Sequence, residues 1–365
     1  MPIGIDDDYW NHLQIKVIPL LIHHMNEHGG VATGWPPNQV IRGGNILAKT
    51  NKEAVIKLCN EINKKEGEGS IYSIGSKHAN LKINRWSTGI EDLDAIIGGG
   101  MPEGRVVEIF GPESSGKTTL LYHLCGLHDL CLDIPIEGTF DADRAKVFGN
   151  RPKQMLIYRA KYGEDAFNKT IKFAKTGIPL IGIDSVPSMV PKDDAEKVLK
   201  SAERDSIEEQ RIGGTARLMN KYLPTVEEII EVTGTTLIFI NQVRDKMNAV
   251  MFGEKTDTPG GRKLKHACSL RIQVARRAWI EIPNKNPRNS ATTEKVGLIM
   301  KCKVVKSKVC NPMGECEIPL FFDRGFVSFD EVSKIRKEIM AQRAAQFGKR
   351  IPKDFLDEEE EEDDE

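Results

Sequence analysis

Eight consecutive residues constrain this chain more than any others. Gly111-Pro112-Glu113-Ser114-Ser115-Gly116-Lys117-Thr118 satisfies the spacing GxxxxGK[ST] at every position, and that spacing functions only between a buried strand and a helix. Its glycines let successive backbone N–H groups curl around phosphate oxygens, and the N-terminus of the following helix adds its dipole. Lys117 is then placed to reach the β- and γ-phosphates, and the Thr118 hydroxyl to ligate Mg²⁺. The flanks fit: Val106–Phe110 is a short apolar run and Thr119–Leu127 reads as a helix. A nucleoside triphosphate with Mg²⁺ is the expected ligand.

Two further apolar runs, Leu180–Ile183 and Thr236–Ile240, each end on polar residues. Such runs, spaced by helical stretches, predict an α/β fold with a mostly parallel central sheet, helices on both faces and functional groups at the carboxyl ends of the strands. Asp184 ends the first run, beside the phosphate loop, where a carboxylate can hold Mg²⁺, commonly through water. Glu137, in Ile136-Glu137-Gly138-Thr139-Phe140, follows another short extended run. It is a candidate base for the water that attacks a γ-phosphate, although spacing alone would equally allow a solvated turn glutamate.

Charge supplies the next constraint. The chain has 52 basic and 53 acidic residues, a net charge of -1, but its last nine residues, Asp357–Glu365, are all acidic. Without them the remaining 356 residues carry 52 basic against 44 acidic side chains, net +8. A basic body with an acidic tail points to an anionic partner, with nucleic acid the leading class. A hydrophobic content of 39% excludes a wholly disordered chain. The longest plainly apolar run, Val17–Ile22, is far too short to span a bilayer. Asp6, Asp7 and Asp8 stand where a signal peptide would be basic, and the seven cysteines include no CxxC pair. The expectation is a protein with reduced thiols in the cytoplasm. Cys302, Cys310 and Cys316 lack zinc-site spacing, and His23, His24 and His28 lack an accompanying acid.

The rest of the chain divides as follows. Residues 1–48 form an extension of unassigned role, in which Tyr9–His28 has helical character. In 49–85, Thr50-Asn51-Lys52-Glu53 has the form of a capping box; Ala54, Val55, Leu58, Cys59 and Ile62 recur at helical spacing; Gly67 and Gly69 stop the pattern. A short strand is predicted at Ser70–Ile74. The core is 86–330; a helix over 331–356 with Val332, Ile335, Ile339 and Phe347 at apolar positions precedes the tail, 357–365.

At this point the residues resemble a known family. Val107-Glu108-Ile109-Phe110 with the phosphate loop and Thr119 is similar to the P-loop of RecA-type DNA strand-exchange recombinases. Ile238-Phe239-Ile240-Asn241-Gln242-Val243-Arg244 and Met251-Phe252-Gly253 resemble their sensor strand and second DNA-binding loop, while Glu137-Gly138-Thr139-Phe140 is closer to the archaeal and eukaryotic members. The resemblance runs from about Asn51 to Phe329. It implies a RecA-like P-loop ATPase core that binds ATP and Mg²⁺, with an N-terminal helix and strand that dock on the next protomer of a helical filament. Glu137 becomes the catalytic base and Gln242 the γ-phosphate sensor. Asp141 and Arg144 fall near the adenine. Lys306, Lys308 and His266 fall where the family reaches a neighbour's nucleotide; as a pair two apart in an extended segment, the lysines would point the same way, the alternative being a solvated basic strand end.

The resemblance further implies two DNA-binding loops. The first, about 191–214, carries Lys192, Lys197, Lys200, Arg204 and Arg211 and is longer than its bacterial counterpart. The second, 244–261, carries Arg244 and Lys246 and closes on Gly260-Gly261, with Arg262 and Lys263 following; mobile basic loops of this kind suit a phosphate backbone. Phe252 is either an intersubunit plug or a base-stacking residue. The implied function is homologous pairing and strand exchange with DNA-dependent ATP hydrolysis. Its partners are single-stranded DNA, homologous duplex and other copies of the chain, together with a single-strand-binding protein and loading mediators. Its setting is a bacterial cell or a phage-infected bacterium. Rival readings are a hexameric helicase or translocase on the same core, and an ATP-binding mediator with little turnover. The acidic tail is either a solvated tag or a polyanion that competes with DNA for the basic loops, as the bacterial family's tail is thought to do. The segment after Phe329 is shorter than that family's globular C-terminal domain.

Overall fold

The computed structural model describes residues 46–72, 83–138, 140–151, 153–196, 213–245, 256–284 and 293–347. Expectations placed on Tyr9–His28, on Lys197, Lys200, Arg204 and Arg211, on Lys246 and Phe252, and on Asp357–Glu365 lie outside these residues. The chain divides into two units, Met1–Ile83 and Asn84–Glu365.

In the first unit, helix α1 spans Ile46–Glu66. It is longer than the sequence pattern predicts: Thr50, read as a cap, lies inside it. Ile46-Leu47-Ala48-Lys49 are good helix formers and carry the helix back past the polar cluster, so the capping-box spelling marks no boundary here. The C-terminal stop is where the glycines put it, with Gly67 and Gly69 at φ 110° and 95°. Of the strand expected at Ser70–Ile74, Ser70 and Ile71 form a bend and Tyr72 follows it, and residues 73–74 lie outside the described residues. Asn63 holds that bend, its side chain accepting from and donating to the backbone of Ile71 at 2.8 Å each way.

The second unit begins with β1 (Arg85–Trp86), α2 (Glu91–Ile96) and β2 (Met101–Pro102), the two strands pairing as a small ribbon. Then follow β3 (Val106–Gly111), α3 (Lys117–Gly126), β4 (Cys131–Pro135), α4 (Ala142–Val147), β5 (Met155–Ile157), α5 (Gly163–Ala174), β6 (Leu180–Asp184), α6 (Gly214–Thr233) and β7 (Thr236–Gln242). A two-residue ladder, β8 (Arg244–Asp245) with β9 (Thr256–Asp257), precedes α7 (Gly261–Ala267). The long antiparallel strands β10 (Leu270–Pro283) and β11 (Thr293–Ser307), then β12 (Glu315–Phe321), β13 (Gly325–Phe326) and α8 (Phe329–Phe347), complete the fold.

Nine strands form one sheet in the order β13-β12-β11-β10-β3-β7-β6-β4-β5. From β10 to β5 every pairing is parallel; from β10 to β13 every pairing is antiparallel. The parallel centre is buried on both sides, and its alternation shows this directly. Val107, Ile109, Ile238 and Ile240 enter one core cluster, with Leu120 and Leu124 of α3. Val106, Leu237 and Phe239 enter the other, with Phe167 of α5 and Leu218 and Leu223 of α6. Successive residues point to opposite faces, so both faces need apolar side chains and the strands read as unbroken apolar runs. The register sets β3, β6 and β7 to end side by side: Gly111 lies opposite Gln242, and Asp184 opposite both Ile240 and Pro135. A third, smaller cluster seats Ile335, Ile339 and Met340 of α8 on Ile280, Ile282, Val296 and Phe321.

All seven cysteines lie among the described residues as free thiols, and no group of three or more His, Cys, Asp and Glu side chains among those residues could hold a metal ion. No described helix is long and apolar enough to cross a membrane. Phe167 is fully buried, stacks on Tyr222 at 5.1 Å between centroids and meets Phe239 at 6.3 Å. Phe167→Ala is therefore expected to cost about 3–5 kcal/mol of stability, read as a fall in denaturation midpoint. A cost below about 1 kcal/mol would show that this face repacks.

Candidate functional site

The site is assembled at the carboxyl ends of β3, β4, β6 and β7. The chain leaves β3 at Gly111, where a Cβ would stand 1.9 Å from the Val274 carbonyl oxygen, so only glycine permits the strand to run this close to β10. It enters α3 through Gly116 at φ 91°, the helix N-cap, where a Cβ would meet the Met300 terminal carbon at 2.3 Å. Ser115 ties the turn by donating to the Pro112 carbonyl at 2.8 Å. The result is a tight loop that leads into the N-terminus of a ten-residue helix, the geometry that presents backbone N–H groups to an anion.

Lys117 is buried at the start of α3, and its ammonium donates to the Gly111 and Pro112 carbonyls at 3.1 and 2.6 Å. Burial lowers its pKa, and the carboxylates of Asp184, Glu137 and Glu113 oppose that shift. A cation held among loop carbonyls and carboxylates is a ready counter-charge for a polyphosphate. The Thr118 hydroxyl donates to Asp184 Oδ2 at 2.6 Å. Burial lifts the Asp184 carboxyl to about 6; the Thr118 hydrogen bond and Lys117 pull it down, and Glu137 adds to the rise. The donor set fits Mg²⁺: hydroxyl and carboxylate oxygens meet at one point, and a cation relieves the electrostatic penalty on Asp184.

Glu137 is brought in by the turn after β4. The Ile136 amide donates to the Asp184 carbonyl at 2.6 Å, folding the chain across the end of β6. Glu137 Oε1 then accepts from the Ser185 hydroxyl, from Ser188 at 3.5 Å and from Gln242 Nε2 at 3.4 Å. Sequence spacing left Glu137 open between a base and a solvated turn; the structure joins it to Gln242 and sets it beside Lys117 and Asp184. Ser185 and Ser188 were not anticipated, although both lie within four residues of Asp184.

Asp141 is the N-cap of α4, accepting from the Arg144 amide at 2.9 Å. Arg144 reaches back to the Thr119 hydroxyl at 3.0 Å and lies over the rings of Phe148 and Phe322 at about 6 Å. These two residues border the far end of α3's first turn. Phe322, some 180 positions away, has no sequence signal linking it to Arg144.

The basic residues are more dispersed. Arg244 is exposed and opens the β8–β9 ladder, opposite Asp257. Arg262 and Lys263, which follow the glycines that close the second loop, stand in the first turn of α7, and Lys263 is ion-paired with Glu227 at 3.2 Å. His266 is exposed near the end of α7. Lys192 belongs to a helical turn at 192–196. Lys306 and Lys308 do not share one environment. β11 ends at Ser307, and the Lys306 ammonium turns inward to donate to the carbonyls of Lys265, His266 (3.2 Å) and Cys268 (2.9 Å). Unpartnered carbonyls at the end of α7 attract the nearest cation. Lys308 is exposed, and its charge, after burial, is the next influence lowering the Lys306 pKa.

Comparison with known proteins agrees with this geometry. The family described as RecA N-terminal domain matches residues 53–327. The chain belongs to the RecA family. Protein RecA of Campylobacter fetus is 34% identical over 289 residues, 77% of this chain and 79% of that protein. Protein RecA of Helicobacter pylori is 34% identical over 292 residues, 78% and 79% of the two chains. Protein RecA of Lactococcus lactis is 35% identical over 283 residues, 76% and 69%. Membership makes this an ATP- and DNA-binding protein of recombination and repair, and the sheet is the RecA-like core that the sequence predicts.

One buried group in this RecA-family site has no sequence precedent among the candidates. Asp133 in β4 is 1% exposed, and neither carboxylate oxygen has a hydrogen-bond partner. Burial raises its pKa well above the usual carboxylate range, Asp184 adds to the rise, and the Ile134 amide opposes it without reaching hydrogen-bond geometry. An acid with a raised folded-state pKa binds its proton more tightly folded than unfolded. Its contribution to stability is complete below the unfolded value of about 3.9 and is lost as pH rises through the folded value. Asp133→Asn should therefore stabilise the nucleotide- and metal-free protein at pH 8 by about 1–3 kcal/mol, and by less at pH 5. Thermal melts at the two pH values check this; an equal shift at both would contradict it.

Proposed function

We propose that the chain is an ATP-dependent DNA recombinase, which assembles as a helical filament on single-stranded DNA and catalyses homologous pairing and strand exchange. One observation carries the reading. Gln242, which shares Glu137 with the serines of the β6 turn, is two residues from Arg244, where the β8–β9 ladder roots the second basic loop. A group that senses the phosphate end of the site is thus continuous with a segment suited to a nucleic-acid backbone.

In this mechanism the phosphate loop and Lys117 hold the polyphosphate. Thr118 and Asp184 hold Mg²⁺, which neutralises charge on the β- and γ-phosphates when bound. Glu137 orients a water and accepts its proton as the oxygen attacks the γ-phosphorus; the bond to the β,γ-bridging oxygen breaks, giving ADP and inorganic phosphate. Gln242 loses or gains its partner at the γ-phosphate and carries the difference into the loop it begins. Asp141 and Arg144 border the adenine. His266 and the exposed Lys308 serve a neighbouring protomer's nucleotide, and Lys306 does so after releasing the end of α7. Arg244, Lys246, Arg211, Arg262 and Lys263 contribute phosphate contacts, Lys263 on exchanging Glu227 for DNA. The first unit supplies the docking segment. Strand exchange breaks no covalent bond in DNA, so phosphoanhydride hydrolysis is the only reaction catalysed. The setting proposed is the cytoplasm, which the bacterial relatives named Protein RecA support.

The test is ATP hydrolysis with and without single-stranded DNA. Wild type should be stimulated by DNA, and Lys117→Ala should lose hydrolysis in both conditions. Glu137→Gln should fall roughly 10²–10⁴-fold while nucleotide affinity stays within a few-fold. A Glu137→Gln rate within twofold of wild type would remove Glu137 as the base. Electron microscopy of the DNA-bound protein separates the filament from a hexameric ring.

A further inference from the structure

Beneath the phosphate loop lies a charged network that the mechanism above does not use. Glu108, in the middle of β3, is completely buried. Its Oε2 accepts from Arg271 Nε of β10, and its Oε1 accepts from Asn241 Nδ2 of β7 at 2.7 Å. Asn241 Nδ2 also donates to the Pro259 carbonyl at 2.8 Å, and Arg271 Nη2 donates to the Thr258 hydroxyl at 3.1 Å. Asn241 Oδ1 accepts from the Gln242 amide at 2.9 Å, and the Arg271 guanidinium lies over the Phe110 ring at 4.6 Å.

These partners are not scattered. Phe110 is the residue before the phosphate loop, Gln242 the residue that meets Glu137, and Thr258–Pro259 the stretch between β9 and α7 by which the second loop returns. The hydrogen bonds of the network and its ring contact end on one of these three segments or within the network. A buried ion pair is a poor device for stability, since apolar side chains of similar size fill such a space at equal or lower cost. A fully satisfied polar network has a different property: its hydrogen bonds are directional, so one member cannot move without breaking or dragging another.

We infer that Glu108, Asn241 and Arg271 are positioning residues that join the position of Gln242 and the phosphate loop to the return of the second DNA-binding loop. The inference rests on the functional reading above and deepens it. Gln242 is joined along the chain to the start of the loop, two residues before Arg244. The network gives a second connection at the loop's other end, so both ends answer to one site. A shift of Asn241 with Gln242 displaces either the Pro259 carbonyl or the Glu108 carboxylate, and Glu108 in turn fixes the arginine that holds Thr258.

The experiment uses the full chain and two variants. Asn241→Ala removes the bonds to Glu108 and Pro259. Glu108→Met with Arg271→Met replaces the ion pair by apolar side chains, which preserves burial. Three quantities are measured: affinity for a fluorescent ATP analogue without DNA, the ratio of ATP hydrolysis with and without single-stranded DNA, and the ratio of DNA affinity in ATP to that in ADP. Both variants should bind the analogue within about threefold of wild type and retain the wild-type melting temperature to within a few degrees. Their DNA stimulation and their ATP-over-ADP ratio should fall at least tenfold. A double variant that folds and keeps both ratios would overturn the inference, leaving the network as packing alone. So would variants that lose analogue binding and both ratios in parallel with melting temperature. A wild type without DNA stimulation would instead overturn the functional reading, and the inference with it.

Discussion

The parallel hydrogen-bond ladder between β3 and β7 is the constraint on which the site depends. It pairs six residues from Val106↔Leu237 to Gly111↔Gln242, and a slip of one residue would turn every side chain to the opposite face. Such a slip would expose Ile109 and Ile240 to the wrong core and remove Gln242 from the level of the phosphate loop. Apolar burial on both faces fixes that register, and the register fixes the chemistry. β6 completes the row, setting Asp184 opposite Ile240, within reach of Thr118.

The same economy explains where glycine is required. At Gly111 the strand approaches the β10 backbone too closely for any Cβ, and at Gly116 the helix starts from a left-handed conformation. Phosphate binding by backbone N–H groups needs that close, curled geometry, so the residues that shape the loop are those without side chains. Charge is handled with comparable care. Lys117 is offset by carboxylates, Thr118 caps Asp184, and Glu108 is matched by Arg271 and Asn241. Asp133 is the exception, a carboxyl with no partner.

Much of this was legible from the chain alone because it is local or periodic. The phosphate loop spells its own geometry, and the apolar runs of β3, β6 and β7 announced buried parallel strands with polar groups such as Asp184 at their ends, Gln242 being singled out by the family resemblance. What was not legible depends on contacts distant in sequence. Glu137 needed the Ile136–Asp184 hydrogen bond to become part of the site, and Arg271 met Glu108 across 163 positions. Lys306 and Lys308 looked equivalent as alternate strand residues, but carbonyls at the end of α7 took one of them. Thr50–Glu53 carried the spelling of a helix start inside a helix that begins earlier, since local propensity upstream outweighed the motif. The small cluster under α8 was foreshadowed by Ile335 and Ile339, whose spacing of four puts both on one helix face.

The central claim is that ATP binding at this site serves the pairing of homologous DNA rather than movement along it or passive assembly. Strand invasion tests it most directly. The protein is loaded on a single-stranded oligonucleotide with ATP and Mg²⁺, then mixed with a duplex that is either homologous or unrelated. The account predicts joint molecules with the homologous duplex only, absent with ADP and absent for Lys117→Ala. Robust DNA-stimulated hydrolysis with no joint molecules from the homologous duplex would contradict it.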